Sequence, residues 1–343
     1  MEVKTLSATD VDRWDQYVRS REDATFFHRA GWADVIEGAL DRPCHFLFAE
    51  EDGEIRGILP LVEIKSLLFG KSLVSLGFFV YGGPVADNEK AHEALDEAAW
   101  ALAGRLGIEV LEYRSRHRAR PGWPAKDNLY VTFSKPLDPD NEANMKAIPR
   151  KQRAMVRKGI KAGLISEIDD HAERLYPLFA ESYRNLGTPV FTKKLFTKIL
   201  EVFAEADRQV LIVTHEGKPV SGVLSFFFRD EVIPYFGGGS PAARGVAAND
   251  FMYWEVMRRA VEERGCRHFD FGRSKAGTGA YSFKKNWGFD PEPLAYEFRL
   301  GAGAEMPDVN PLNPKYQLMI KAWQKLPLPV ANLLGPVISR SLG

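Results

Sequence analysis

The sequence predicts an α/β protein built from two similar domains, each a mixed sheet with helices on its faces. Three short segments recur in the same order about 160 residues apart. They are DGEIRGIL and EGKPVSGVL, VYGGP and YFGGG, and RLGIEVLEY and ERGCRHFDF. One such match can arise by chance, but three in one order indicate a repeated unit.

Each copy shows the same succession of elements. In the first copy a strand hairpin turns at Asp52-Gly53, and a long helix over about 89–105 precedes the strand IEVLEYR. In the second copy two hairpin turns precede a helix over about 249–264, which Asn249 and Asp250 are expected to cap. The strand CRHFDFG then follows the helix, as IEVLEYR does in the first copy.

The stretch 144–168 lies between the two copies and is predicted to be a basic helix. Pro149 suits its first turn, and Gly163 suits the residue just past its end. Between Ala143 and Ser166 the sequence has seven basic residues and no acidic one: Lys146, Arg150, Lys151, Arg153, Arg157, Lys158 and Lys161.

The helical repeat divides this stretch into two faces. On one face lie Ile148, Val156 and Ile160, which are expected to pack on the protein. With no acid nearby to form pairs one turn apart, the cations repel one another unless an anion binds. The pattern therefore predicts an anion-binding stripe, and the alternative is a solvated charged face. The stripe consists of Arg150, Arg153, Arg157 and Lys161.

Composition limits the classes of function. The chain has 343 residues, with 46 basic and 46 acidic ones, so the basic stretch is local and a general nucleic-acid binder is not expected. Cys44 and Cys266 are isolated and are expected to be buried thiols, and neither they nor the seven histidines show metal-ligand spacing. No signal-peptide pattern or 18-residue apolar run is present, which predicts a cytoplasmic protein.

These patterns predict four segments. They are an N-terminal domain over 1–143, the linking helix over 144–168, a C-terminal domain over 169–305 and a tail over 306–343. From Tyr316 onward the tail is apolar and basic and is broken by prolines. It is expected either to pack on the domains or to rest on an anionic membrane surface at the inner face of the membrane.

The order of elements, with the closing segment FKKNWGF, resembles the GNAT acyltransferase fold. Two such domains joined by a Lys/Arg-rich helix resemble the FemAB family of aminoacyl and peptidyl transferases. DFGRSKAGTGAYSFKKNWGF and the tail NPLNPKY with LPLPVANLLGP are similar to FemAB-related proteins associated with exopolysaccharide and PEP-CTERM loci. The resemblance implies transfer of an acyl or aminoacyl group to an envelope glycan, an exopolysaccharide or a lipid-linked precursor.

The resemblance also bears on the acyl donor. GNAT enzymes that use coenzyme A hold its pyrophosphate on a glycine-containing loop that opens a helix, where backbone N–H groups point at the anion. Here that loop reads SPAARGVAA, with one glycine in the wrong register, and its first-copy counterpart VADNEKA carries acids. We therefore expect no bound cofactor. The FemAB resemblance implies a tRNA ester or another activated acyl group as donor, with acyl-coenzyme A as the alternative.

Acyl transfer needs a proton acceptor, and Asp270 is the first candidate. It lies between two phenylalanines on a strand predicted to be buried, and burial should raise its pKa. The alternative is a structural carboxylate, paired with Arg273 or capping backbone. The first copy has an acid, Glu112, at the matching position, which favours the structural interpretation.

The loop after this strand supplies the other candidates. Arg273, Ser274 and Lys285 are predicted to bind substrate, and Tyr281 and Lys284 to take part in catalysis by donating a proton or holding a phosphate. The alternative is that the aromatic residues of this segment are core and its lysines are solvated.

A glycine-rich strand end supplies candidate oxyanion donors. Tyr235, Gly237 and Gly238 are predicted to offer backbone N–H groups there. The alternative is a β-bulge or a close approach of two backbones. Tyr81 to Pro84 is the first-copy counterpart, and its alternative is a plain turn.

Two functional alternatives of different kinds remain open from the sequence. One is a coenzyme A-dependent N-acyltransferase of the GNAT superfamily. The other is a non-catalytic scaffold of the same fold that binds a partner in envelope biogenesis.

Overall fold

A computed structural model describes residues 1–66, 70–307 and 314–343. Its strands are β1 (Glu2–Thr5), β2 (Cys44–Glu51), β3 (Glu54–Ser66), β4 (Gly70–Ser75), β5 (Val85–Ala86), β6 (Val110–Ser115), β7 (Ala125–Lys126), β8 (Tyr130–Pro136), β9 (Ile165–Asp169), β10 (Arg208–His215), β11 (Lys218–Phe228), β12 (Glu231–Gly239), β13 (His268–Asp270), β14 (Ser274–Lys275), β15 (Pro291–Pro293) and β16 (Ala295–Leu300). Its helices are α1 (Val11–Ser20), α2 (Trp32–Leu40), α3 (Glu89–Leu106), α4 (Asn141–Ala147), α5 (Arg150–Lys161), α6 (Leu175–Leu186), α7 (Lys193–Val202), α8 (Pro241–Gly245), α9 (Ala248–Arg264), α10 (Gly279–Asn286), α11 (Pro314–Gln324) and α12 (Leu328–Ser339).

The strands form two mixed sheets, which confirms the predicted α/β fold with two similar halves. The first sheet has the order β1-β2-β3-β4-β6-β16-β7, with β5 beside β3. The second has the order β14-β8-β13-β12-β11-β10-β9, with β15 beside β8. In both, antiparallel hairpins lead to one parallel neighbour, β6 beside β4 and β13 beside β12.

The chain divides into two compact units whose limits differ from the predicted segments. The first unit contains the described parts of Met1–Tyr130, Pro293–Asn310 and Val337–Gly343, and the second contains those of Val131–Glu292 and Pro311–Pro336. The difference arises because β8 pairs with β13 in the second sheet, and β16 pairs with β6 in the first. Hydrophobic alternation marks a strand without indicating its partner, so this exchange has no signal in the sequence pattern.

The second unit has an aromatic core beneath the segment that carries the candidate site. Phe133 on β8, Phe269 on β13 and Phe271 just after it are buried against Trp287 and Phe289. The ring centroids of Phe271 and Phe289 lie 4.7 Å apart, with the rings edge to face. The two aromatics that close the predicted GNAT-like segment are therefore core residues.

The basic stretch 144–168 is not one helix, so this prediction is wrong in its extent. Helix α4 ends at Ala147, α5 begins at Arg150, and residues 165–169 form β9, which pairs with β10. Ile148 is extended because the ring of Pro149 disfavours a helical conformation at the residue before it. Gly163 has a φ of +74°, and this left-handed conformation ends α5 as predicted.

Helix α5 packs through a narrow face. Gln152, Val156 and Gly159 are buried, at the spacing of one helical stripe. Ile160, predicted to be buried, is 51% exposed. At Gly159 an added Cβ would lie 2.8 Å from the Cβ of Phe251 on α9, so this glycine permits the close approach of the two helices.

The beginning of α9 differs from the expected cap. The residue that precedes the helix is Ala247, with a φ of +57°, and Asn249 and Asp250 lie in the first turn. The Asp250 carboxylate accepts hydrogen bonds from Gln152 Nε2 (3.2 Å) and Trp287 Nε1 (3.1 Å), and burial raises its pKa. Asp250 thus links α5, α9 and the segment after α10.

We predict that Gly159→Ala lowers the free energy of unfolding by about 1 kcal/mol, measured by urea denaturation. Overpacking against Phe251 costs about 1–3 kcal/mol, and the gain in helix propensity returns at most about 1 kcal/mol. Gly245→Ala is the matched control, because nothing lies within 4 Å of an added Cβ there. Equal midpoints for the two variants would contradict the tight packing of α5 on α9.

Candidate active site

The candidate site lies where two parallel strands of the second sheet separate. Strands β12 and β13 pair only at Glu231 with His268 and at Val232 with Phe269. Beyond this point β12 continues to Gly239, whereas the N–H of Phe271 bonds the carbonyl of Phe133 on β8. The two strands therefore diverge toward their carboxyl ends, which is where α/β sheets place ligands.

Two features of β12 accompany this divergence. Its register with β11 shifts so that Tyr235 is an extra residue between paired Pro234 and Phe236, which is a β-bulge. At Gly238, an added Cβ would lie 2.5 Å from the carbonyl oxygen of Leu178 on α6. The strand end is thus held against the backbone of α6, and only glycine fits there.

The predicted oxyanion donors are therefore in structural positions. Tyr235 is at the bulge and Gly238 is at the close approach, which are the alternatives raised from the sequence. The next residue, Gly239, donates its N–H to Ser182 Oγ at 3.0 Å. Gly237 is half-buried, and its role stays a prediction.

Two tyrosines that the sequence analysis missed stand beside the gap. The Tyr253 ring lies 4.9 Å from the ring of Phe271, and its hydroxyl lies 3.4 Å from an added Cβ on Gly237. Burial raises the pKa of Tyr253 to about 12. Burial also raises the pKa of Tyr183 on α6 to about 12, with the Arg273 guanidinium acting in the opposite direction. The sequence signal for these two residues was a tyrosine, with its polar hydroxyl, on an otherwise apolar helix face.

Asp270 has the contacts of a positioning residue. It is 0% exposed, and its Oδ1 accepts hydrogen bonds from Thr132 Oγ1 (3.0 Å) and from the backbone N–H of Gly272 (2.6 Å). The backbone-capping alternative is therefore present in the structure. Direct proton transfer by Asp270 would require a substrate to reach an enclosed carboxylate.

Lys284 is attached to the turn that Asp270 holds. Its Nζ donates to the carbonyl oxygens of Gly272 (2.7 Å) and Arg273 (3.0 Å) and lies 5.8 Å from the centroid of the Phe133 ring. Burial lowers the pKa of Lys284 to about 7, the Asp270 carboxylate opposes this change, and the Arg273 guanidinium adds to it. The amino group can therefore gain or lose a proton near neutral pH.

The remaining candidates of the loop occupy different environments. Tyr281 packs its ring edge to face on Phe133 with centroids 5.4 Å apart, and Lys285 is exposed. Arg273 is half-buried beside the gap. Ser274 is buried, and its Oγ has no hydrogen-bond partner in the described part of the chain. The structure thus places Arg273, Ser274 and Lys284 at the turn that follows β13, whereas Lys285 faces solvent.

The cationic stripe on α5 is exposed at Arg150, Arg157 and Lys161, and Arg153 is half-buried. The side chains of the three exposed residues form no hydrogen bond or ion pair with any residue that the structure describes. Arg153 differs, because its Nη1 donates to the carbonyl of Lys146 at 2.9 Å and so caps the end of α4. Anion binding by the stripe stays a prediction.

The matching region of the first unit is filled by its own side chains. After β4, Leu76, Phe78 and Tyr81 all have positive φ angles and are buried. The ring of Phe79 lies 4.2 Å from that of Trp32, centroid to centroid. Glu112, which matches Asp270, forms an ion pair of 2.7 Å with Arg114. Tyr81 to Pro84 is therefore part of a packed, irregular segment.

Residues 144–285 match the family model described as acetyltransferase (GNAT) domain. This stretch of the chain is therefore similar to a GNAT domain. The match includes the diverging strands, the turn after β13 and all but the last residue of α10, and it confirms the predicted acyltransferase class. No curated protein sequence matches the chain.

Solved structures share the tandem GNAT fold. FemX has 16% identity and a TM-score of 0.68, over 93% of this chain and 100% of its own. The C-terminal domain of a protein designated lysylphosphatidylglycerol synthetase from Agrobacterium fabrum has 16% identity and a TM-score of 0.55, over 86% and 93%. A tandem GNAT protein from the clavulanic acid biosynthesis pathway has 12% identity and a TM-score of 0.55, over 89% and 99%. These likenesses concern the fold, and they support the resemblance to the FemAB family.

We predict that the stability difference between wild type and Lys284→Met depends on pH. The pKa of Lys284 is about 7 in the folded protein and near its ordinary 10.5 after unfolding, so the unfolded chain holds an extra proton between these values. The stability of the wild type relative to the variant should therefore rise with pH from about 7 to about 10 and be level below 7.

The measurement is urea denaturation at several pH values. Lys218→Met, which replaces an exposed lysine at the beginning of β11, is the control and should follow the wild-type pH dependence. Parallel curves for wild type and Lys284→Met would show that the folded environment leaves Lys284 unchanged.

Proposed function

We propose that the GNAT domain transfers an acyl or aminoacyl group within the gap between β12 and β13. The observation that carries this proposal is the amino group of Lys284, held by two carbonyl oxygens beside the gap with its pKa lowered to about 7. The acceptor's amine or hydroxyl attacks an ester carbonyl directly, and no covalent enzyme intermediate forms.

The proton balance of this reaction assigns a role to each polar group. The attacking amine or hydroxyl loses a proton as the new C–N or C–O bond forms, and the departing alkoxide gains one as the ester C–O bond of the donor breaks. A group with a pKa near 7 is suited to accept the first proton and to supply the second. We assign this role to Lys284, and we assign Asp270 the role of holding the turn that carries its two carbonyl partners.

The two tyrosines suit the developing oxyanion. The hydroxyls of Tyr183 and Tyr253, with pKa values of about 12, are protonated near neutral pH, as an ordinary tyrosine hydroxyl is. They are therefore available to donate hydrogen bonds in a partly desolvated site, where such bonds are strongest. We assign Arg273 and Ser274 to binding of the donor or the acceptor.

We propose a tRNA ester or another activated acyl group as the donor, in preference to acyl-coenzyme A. In the second unit the loop that would hold a pyrophosphate is occupied by the short helix α8, with Ala243 buried. In the first unit the amide of Ala91 at the beginning of α3 already bonds the Asn88 side chain at 3.0 Å. Both helix beginnings therefore offer fewer free amides to a pyrophosphate.

We propose an envelope glycan, an exopolysaccharide or a lipid-linked precursor as the acceptor, in a cytoplasmic protein. The support is the FemAB resemblance, including the segments similar to proteins of exopolysaccharide and PEP-CTERM loci. No helix among the described residues is long and apolar enough to cross a membrane.

Lys284→Met should abolish modification of the acceptor. Loss of a general acid or base lowers rates by about 100-fold to 10,000-fold. The readout is mass spectrometry of the envelope polysaccharide and its lipid-linked precursors in a deletion strain carrying wild type, Lys284→Met or the control Lys218→Met. Full modification with Lys284→Met would favour the non-catalytic scaffold over the enzyme.

Calorimetric titration with acetyl-coenzyme A tests the donor. We expect no binding heat at micromolar concentrations, because the two helix beginnings offer fewer free amides to a pyrophosphate. Micromolar affinity would overturn the donor proposal and favour the coenzyme A-dependent alternative, while leaving the transferase class intact.

The cationic stripe on α5 provides a further test of donor or acceptor binding. Hydrogen bonds to charged groups are worth about 1.5–3 kcal/mol, so Arg157→Ala should weaken binding of a tRNA or a lipid-linked pyrophosphate about tenfold or more. The melting temperature should stay level or rise, since one repulsion along α5 is removed.

Arg153→Ala is the informative comparison for this stripe. It removes the bond to the carbonyl of Lys146, so a drop in melting temperature is expected for this variant. Unchanged affinity in Arg157→Ala would show that the stripe is a solvated face.

A further inference from the structure

Helix α12 presents its large apolar side chains to solvent and its small ones to the protein. Ala331, Gly335 and Ser339 are buried, four residues apart, and an added Cβ on Gly335 would lie 2.9 Å from Val190. A surface helix of a soluble protein normally has the opposite arrangement. The exposed residues are Val330, Leu333, Leu334, Val337 and Ile338, and Leu333 is 74% exposed.

Helix α11 continues this exposed apolar surface. Leu318 is 75% exposed, and Met319 beside it is also exposed. The helix is fixed to the protein through its other side, where Arg184 Nη1 donates to the carbonyl of Gln324 at 3.1 Å and Ile320 packs on Gly187. Both helices are thus anchored on the segment 187–190, which follows α6, and keep large apolar side chains outward.

The charge of this segment indicates what covers the surface. Residues 314–343 contain four cations and no acidic residue. Two of them are exposed, Lys321 on α11 one turn after Leu318 and Lys325 directly after α11. Apolar side chains beside cations fit the surface of an anionic bilayer. A second copy of the chain fits less well, because it would bring two cationic surfaces together.

We propose that α11 and α12 form a membrane-docking surface that rests on an anionic bilayer without crossing it. Leu318, Leu333 and Val337 enter the boundary between headgroups and acyl chains, and Lys321 and Lys325 lie at the level of the lipid phosphates. This inference does not depend on the identity of the acyl donor. For a lipid-linked acceptor it would place the protein at the membrane that holds the substrate.

The test is flotation of the full chain with vesicles of phosphatidylglycerol and phosphatidylcholine, beside vesicles of phosphatidylcholine alone. Wild type should bind the anionic vesicles, and Leu333→Glu combined with Val337→Glu should weaken this binding at least tenfold. Ile165→Glu is the matched control, because Ile165 is 61% exposed on β9, and it should bind like wild type. Lys321→Ala and Lys325→Ala should each reduce the affinity about fivefold.

Three outcomes would overturn the proposal. The first is that wild type does not bind anionic vesicles, and the second is that it binds both kinds of vesicle equally. The third is that the Ile165→Glu control loses as much vesicle binding as the Leu333→Glu, Val337→Glu variant. Melting temperatures of the variants show whether they are folded. Sedimentation of wild type and of the Leu333→Glu, Val337→Glu variant tests the rival occupant, since a dimer lost in the variant would identify the surface as an interface between copies.

Discussion

The close approach of β12 to the backbone of α6 at Gly238 is the constraint on which the candidate site depends. An added Cβ there would lie within 2.6 Å of Phe179 Cα, so the strand end follows the helix. Its parallel neighbour β13 instead continues along β8, through the bond from Phe271 to Phe133. Two adjacent strands with different partners must separate, and Tyr253 stands beside the opening that results. The gap is therefore a consequence of packing on either side of it.

A buried carboxylate then determines where the titratable group lies. Asp270 ties the Gly272 amide to Thr132 on β8, and the carbonyls of Gly272 and Arg273 receive the ammonium of Lys284. Each link is a hydrogen bond to backbone or to a buried side chain, so the position of the lysine does not depend on a flexible loop. The same enclosure that fixes the amino group also desolvates it, which lowers its pKa toward neutrality. The same enclosure therefore both positions the Lys284 amino group and lowers its pKa.

Local patterns predicted the elements of this fold, whereas pairing between distant segments did not follow from them. Helices α3 and α9 and the hairpins before them were predicted by periodicity and turn residues. The break before α5 has a signal in Pro149 and the end of α5 has one in Gly163, whereas the short β9 has no strand pattern that sets it apart. The placement of β8 and β16 in their sheets, and of Tyr183 and Tyr253 at the gap, depends on contacts between residues far apart in sequence. Single-sequence patterns contain no information on those contacts.

The two copies of the repeated unit differ in backbone conformation at the matching strand ends. In the first unit, Leu76, Phe78 and Tyr81 adopt left-handed conformations, each costing about 1–3 kcal/mol for a side-chain-bearing residue. Such strain persists only where packing overcomes it, and here Trp32 and Phe79 are part of a buried aromatic cluster beside the segment. The second unit has glycines at the matching strand end, so its backbone reaches α6 without that strain and the strands stay apart. The first unit uses the region as core, whereas in the second unit β12 and β13 separate there.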